Sequence, residues 1–328
     1  VYAGGSKKWH NDTVSADDGH TLLALGENGF EKKQTYEGSS MGGSEPLARF
    51  LKYAHESYPA KEFALVMWDH GDGPLIGYGK DMLFDYDSLT LNEMRAALEA
   101  SPFGADNKLS WIGFDACLMS SAELAVTLGG FASYLVASQE IEPAFGWNYS
   151  FLSDLGNKGT EEMLSSLCRG YLKDCEKYYE RKGFEGRDTT LSLMDLSVAG
   201  ELEGAMCDLF SSVDVNKNYN DLTKRRVESR ALGRASTGSE YDLVDLWDLA
   251  DKMSSAYGEK AERVKNAVKK MVKANAANAD DLCGISVYKH PDLFRPAFRG
   301  IFLCCDDMEA VFEVAVDRII FICLQQDI

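Results

Sequence analysis

No apolar run in the 328-residue chain approaches the ~20 residues that a membrane-spanning helix needs. The longest late run, Ile319 to Leu324, suffices only for a core strand or helix segment. Basic residues are also few. The 34 Lys plus Arg stand against 52 Asp plus Glu, a formal charge of −18. That sign argues against nucleic acid or an anionic membrane surface as the main partner, and it favours cationic substrates or ions. The eight cysteines include no CxxC pair and lie mostly in apolar segments at irregular spacing, which argues against a disulfide framework. Cys304-Cys305 has no neighbouring His, so no zinc site is expected there. No Met and no basic-then-apolar leader opens the chain. Val1-Tyr2-Ala3 reads as the end of a strand, so the N-terminal strand is expected to be truncated. Internal repeats are missing too, and the Gly-rich run 71–79 fits neither a phosphate loop nor G-x-G-x-x-G.

What is present describes a globular protein: 45% apolar and 26% charged residues, in a chain long enough for a large core. Residues 62–68, 109–114 and 134–137 are short apolar runs, the pattern of strands buried on both faces of a parallel sheet. Helices are predicted between them. Ser44-Glu45-Pro46 opens one, with Ser44 as its cap. Thr90-Leu91-Asn92-Glu93 is a capping box. Leu118 to Leu128 forms a third, stopped by Gly129-Gly130. This order predicts an α/β fold with helices on both faces. Further along, 160–182, 198–212, 240–256 and 259–276 read as helices, and 189–196 and 283–288 as strands. Asp214 to Arg226 reads as a polar loop or linker. Two regions are expected: a sheet domain over 1–200, and a smaller, mainly helical region with short strands over 201–328.

Ligands of open parallel sheets bind beyond the carboxyl ends of the strands. The residues there are Asp69-His70-Gly71 after the first strand, Asp115-Ala116-Cys117 after the second and Ser138-Gln139-Glu140 after the third. A Cys nucleophile needs a proton partner, and His70 can serve one near neutral pH. Cys117 at the start of a helix would also gain from the macrodipole. The backbone N–H groups of Gly71 and Cys117 could hold an oxyanion. Acyl transfer is therefore legible from strand order. Gly38-Ser39-Ser40-Met41-Gly42 fits G-x-S-x-G, but four further residues separate it from the helix, so it reads as a turn.

Two strings carry a resemblance: Leu-Val-Met-Trp-Asp-His-Gly-Asp-Gly at 65–73 and Trp-Ile-Gly-Phe-Asp-Ala-Cys-Leu-Met at 111–119. Together with residues 1–9 and the stretch from Ala137 to Tyr149, they resemble the clostripain family of caspase-like cysteine peptidases. The resemblance covers roughly residues 1–200 and weakens beyond. It implies a caspase-like, mostly parallel sheet and a cysteine endopeptidase that cleaves after Arg, and less readily Lys, in protein or peptide substrates. It implies His70 and Cys117 as the dyad, Gly71 and Cys117 as oxyanion donors, and Asp115 at the floor of the specificity pocket. A carboxylate there suits a planar guanidinium. Glu140 or Glu142 could supply a second carboxylate, and Glu140 is taken as the candidate. Maturation by self-cleavage, a habit of the family, points to Lys80–Asp81 in a Gly-rich stretch. The chemistry requires no cofactor, but the resemblance allows calcium, for which Asp81, Asp85 and Asp87 are the candidate ligands. It also implies a secreted or cell-envelope location, although eight unpaired cysteines suit a reducing setting as well. The rival reading is a catalytically inactive module of the same fold that binds basic peptides.

Overall fold

The structure is a computed structural model that describes residues 1–9, 13–15, 19–213, 215–233, 241–288 and 319–323. In chain order the first elements are β1 (Tyr2–Gly4), β2 (His20–Gly26), β3 (Gly29–Tyr36), α1 (Ser44–Ser57), β4 (Ala64–Trp68), α2 (Gly73–Ile76), β5 (Tyr78–Asp81), β6 (Asp87–Leu89) and α3 (Leu91–Glu99). Then come β7 (Leu109–Asp115), α4 (Ala122–Leu128), β8 (Ala132–Ala137), a 3₁₀ turn (Tyr149–Asp154), α5 (Thr160–Lys182), β9 (Thr190–Asp195) and α6 (Ala199–Ser211). The last are α7 (Val215–Glu228), β10 (Ala231–Leu232), β11 (Leu243–Asp245), α8 (Leu246–Met271), β12 (Val272–Ala277), β13 (Ser286–Tyr288) and β14 (Ile319–Cys323).

The main sheet has nine strands in the order β12-β9-β8-β7-β4-β14-β1-β2-β3. Its centre, β4-β7-β8, is parallel, as the apolar runs predict. The other pairings are antiparallel, so the sheet is mixed rather than mostly parallel. Alternation along the central strands fills two cores. Leu65, Met67, Phe114 and Leu135 face α1, α3, α4, α6 and α8. Ala64, Val66, Trp111 and Val136 face α5 and the 3₁₀ turn. Helices therefore cover both faces, as expected.

Among the described residues, much of the chain beyond 200 packs with the main sheet, while β10, β11 and β13 form a small sheet beside it. α6 and α8 pack in the first cluster, and β12 and β14 are strands of the main sheet. Several local expectations change. Gly43, not Ser44, caps α1, whereas the Thr90–Glu93 capping box forms in full. The polar stretch after Val213 is helix α7, not a loop, anchored by buried Leu222 and by Arg225, which pairs with Asp221 and donates to Ser255. The helix expected over 259–276 ends at Met271, and Val272–Ala277 instead extends the sheet beside β9. Cys304 and Cys305 lie outside the described residues.

Glu123 ties α4 to β13, its carboxylate accepting the Tyr288 N–H at 3.0 Å. Burial pushes this carboxyl from 4.5 up to about 7. Between those values the folded chain holds a proton that the unfolded chain has released, so this group's contribution to stability falls as pH rises. Asp115 and Glu140 shift the same way. Glu123→Gln keeps the acceptor and removes the titration. Its melting temperature, relative to wild type, should therefore rise between pH 4.5 and about 7; a constant difference across that range would overturn the assignment.

Candidate active site

Register places the site. In the parallel pair β4/β7, Trp68 stands opposite Asp115. His70 and Cys117 each follow two residues later, and both line one cavity of about 440 Å³. Trp68, Gly71, Asp72 and Asp115 also line it, as do Glu142, Gly146 and Tyr241. His70 is exposed at its rim. Its carbonyl accepts the Gly79 N–H at 2.9 Å, which anchors this loop on β5.

Cys117 is not at a helix N-terminus. α4 begins at Ala122, capped by Ser121. Between them Leu118 takes φ +62°, and its fully buried side chain packs with Leu232, Leu243 and Leu282. That turn is held by Leu118 N–H donating to the Glu140 carbonyl and Ser120 N–H to the Ser138 carbonyl. Cys117 is thus positioned by tertiary contacts, without the dipole the sequence suggested. Its Sγ receives the Glu142 N–H at 3.2 Å. Burial, followed by the Glu142 charge, pushes the thiol up to about 12.

Gly71 is a close approach. A Cβ there would sit 2.1 Å from the Cys117 carbonyl oxygen and 2.8 Å from Met119 Cγ. The two loops therefore touch backbone to backbone. Gly71→Ala keeps the N–H, but its Cβ would push the loop off Cys117 and misplace that donor, so kcat/KM should fall on the order of 10²–10³-fold. Retained activity in a correctly folded variant would show that this close approach does not set the site.

The floor is acidic. Asp115 Oδ2 accepts the Trp147 N–H at 3.0 Å and the Tyr149 hydroxyl at 2.8 Å. Burial raises its carboxyl to about 6. Gly146, at φ +67°, lies so close that a Cβ would be 2.8 Å from Asp115 Oδ2. The second carboxyl group lining the cavity belongs to Glu142 rather than Glu140. Both Glu142 oxygens are buried without a well-formed hydrogen bond, beside Asp115, the Trp147 indole and the Tyr171 hydroxyl. Burial, then the charge of Asp115, pushes Glu142 well above the usual carboxylate range. Glu140 does not line the cavity. Its carboxylate accepts the Gly233 N–H at 3.0 Å.

Lys80 is not in an exposed loop. It lies in strand β5, its ammonium paired with Asp72, the two side chains only 11% and 9% exposed. The next residue, Asp81, is buried and accepts the Met41 and Leu83 N–H groups. The flexibility that motivated Lys80–Asp81 as a cleavage bond is therefore missing. Those same hydrogen bonds occupy Asp81, Asp85 and Asp87 are exposed, and no cluster of three or more metal-ligating side chains occurs among the described residues. The three aspartates do not fit a calcium site. Ser40 Oγ accepts the Gly42 N–H within a turn and does not line the cavity.

A mixed sheet sandwiched by helices, with a His and a Cys at the carboxyl ends of adjacent central strands, is a caspase-like fold of the cysteine-peptidase class. The sequence comparison narrows the class. The model of the Clostripain family matches residues 12–289, and the chain belongs to that family. It is 26% identical over 281 residues to the clostripain of Hathewaya histolytica, an alignment covering 70% of this chain and 52% of that protein. The chain thus spans about half the length of that relative. Its fold is similar to an inactive zymogen C11 protease from Parabacteroides distasonis, with TM-score 0.61, 21% identity, and coverage of 83% of this chain and 77% of that one. A secreted C11 cysteine protease from Bacteroides thetaiotaomicron, solved with an irreversible peptide inhibitor, superposes with TM-score 0.65 at 18% identity, covering 88% and 85%. Among the described residues no helix is long and apolar enough to cross a membrane.

Proposed function

We propose that the chain is a cysteine endopeptidase that cleaves peptide bonds after Arg, and less readily after Lys. One observation carries the specificity: two buried carboxyl groups, Asp115 and Glu142, share a cavity with Cys117 and His70, and Glu142 has no well-formed partner. A guanidinium offers planar, bidentate donors and a charge opposite to that of these two acids, whose buried positions disfavour ionisation without a cation. A hydrophobic or acidic side chain would supply neither donors nor positive charge.

In acylation, Cys117 Sγ bonds to the carbonyl carbon while its proton passes to His70. The Gly71 and Cys117 N–H groups stabilise the oxyanion. The C–N bond then breaks as His70 protonates the departing amine. Water attacks the resulting thioester, the carboxylic acid leaves, and the thiol regains its proton. Clostripain-family membership and the retained His-Gly and Asp-Ala-Cys strings support this reading. An extracytoplasmic location goes with it, in keeping with the Bacteroides thetaiotaomicron relative described as secreted.

Peptides with a fluorogenic leaving group after Arg, Lys, Asp or Ala test it. Hydrolysis should be fastest after Arg, slower after Lys and negligible after Asp. Equal rates after Ala would overturn the specificity. Tight binding of Arg peptides without turnover would assign the inactive binding module instead.

A further inference from the structure

The loop that walls the cavity has a second side. Phe145, Trp147 and Asn148 form one wall of a neighbouring groove of about 480 Å³, and Gly146 lines both groove and cavity. The opposite wall is a single face of α5: Asp174, Lys177, Tyr178 and Arg181 recur at i, i+3, i+4 and i+7. Trp147 belongs to the core beneath, but packing of the fold does not account for Phe145. Phe145 is 42% exposed, and its ring lies 5.0 Å from that of Tyr178 in a tilted arrangement. Phe184, 47% exposed, extends the cluster on the far side of Tyr178 at 6.4 Å. The rim carries two basic residues and one acid, in a chain that is strongly acidic overall. Lys177 is paired with Asp174 at 3.3 Å, whereas the Arg181 guanidinium sits 5.7 Å over the Tyr178 ring with no carboxylate partner among the described residues.

Resting on the peptidase reading above, we propose that this groove is a second substrate subsite that takes an aromatic side chain of the bound peptide. Continuity sets the occupant. The wall between groove and cavity is one turn of chain, closed by the Gly146 N–H donating to the Pro143 carbonyl. An extended peptide advances about 3.4 Å per residue with alternating side chains, so a residue two positions from the Arg presents its side chain on the same side about 7 Å away. The exposed ring of Phe145, set against the half-buried Tyr178 ring, offers its free surface to a third ring. The stems of Lys177 and Arg181 add apolar surface, and their charges reject a second cation.

The test uses the full chain carrying Cys117→Ala, so that binding is read without turnover. Fluorescein-labelled peptides with a single Arg carry Phe, Ala or Glu at each of the three positions on either side of it, and affinity is read by anisotropy. At the position two residues from the Arg, on one side of it, Phe should bind about tenfold more tightly than Ala, the upper end of an aromatic contact. Adding Tyr178→Ala should remove that preference, and Tyr178→Phe should keep it. The proposal is overturned if neither position two residues from the Arg favours Phe, if Glu is preferred over Phe there, or if the preference survives Tyr178→Ala combined with Phe145→Ala. Failure of the peptidase reading shows separately, as a wild-type chain that hydrolyses no Arg peptide whatever it binds.

Discussion

Cys117→Ala should lower hydrolysis of Arg peptides on the order of 10⁶-fold, as removal of a nucleophile does in a comparable acyl-transfer site, while leaving peptide binding intact. A more discriminating result concerns the state of the thiol before substrate arrives. Burial, then the Glu142 charge, raises it to about 12; the Glu142 N–H works in the opposite sense, and Asp72 adds a smaller upward push. No helix N-terminus offsets these, because α4 starts at Ala122. At neutral pH the free protein should therefore hold Cys117 as thiol, not as half of a thiolate–imidazolium pair. Alkylation of Cys117 by iodoacetamide, followed by peptide mass spectrometry, should be slow at pH 7 and rise steadily through pH 10. A plateau reached below pH 7 would show a preformed ion pair and refute this description.

The site was legible in the sequence wherever strand order alone decides position. β4, β7 and β8 are buried on both faces, so their apolar runs stand out, and residues just beyond their ends must meet at one edge of the sheet. His70, Cys117 and Asp115 follow from that. The rest depends on contacts distant in sequence. Ser138 Oγ bonds to both the N–H and the carbonyl of Glu140, and the Leu118 N–H donates to that same carbonyl. Those bonds turn Glu140 toward Gly233, 93 residues away, and leave Glu142 facing the cavity. Nothing in the local pattern distinguishes the two. The left-handed turn at Leu118 is equally hidden, since leucine gives no sign of positive φ; it is imposed by packing against Leu232, Leu243 and Leu282. Val272–Ala277 looks helical by its alanines, yet β9 offers an open edge and wins. β14 pairs with β4 from more than 250 residues on, beyond the reach of any periodicity argument.

Asp115→Asn should cut kcat/KM for Arg peptides by roughly 30- to 5,000-fold, because removing one partner of a buried charged contact costs about 2–5 kcal/mol. The substitution is nearly isosteric. Its amide oxygen can still accept from the Trp147 N–H and the Tyr149 hydroxyl, which now hold Oδ2. Folding should not suffer. Burial raises this carboxyl from 3.8 to about 6, so the ionised group lowers stability once pH passes that range. At pH 8 the variant should be at least as stable as wild type, and a marked fall in melting temperature would mean that lost activity reports unfolding instead. A neutral isostere of Arg, citrulline, isolates the charge. Wild type should prefer Arg to citrulline strongly, and the variant only weakly. The ratio also carries a pH signature, since groups common to both substrates cancel from it. As pH falls through about 6, Asp115 takes up a proton and the preference for Arg should shrink. In Asp115→Asn that decline should vanish, leaving only the contribution of Glu142. A ratio that is unchanged by the substitution and flat with pH would place the guanidinium elsewhere in the cavity and remove Asp115 from the specificity pocket.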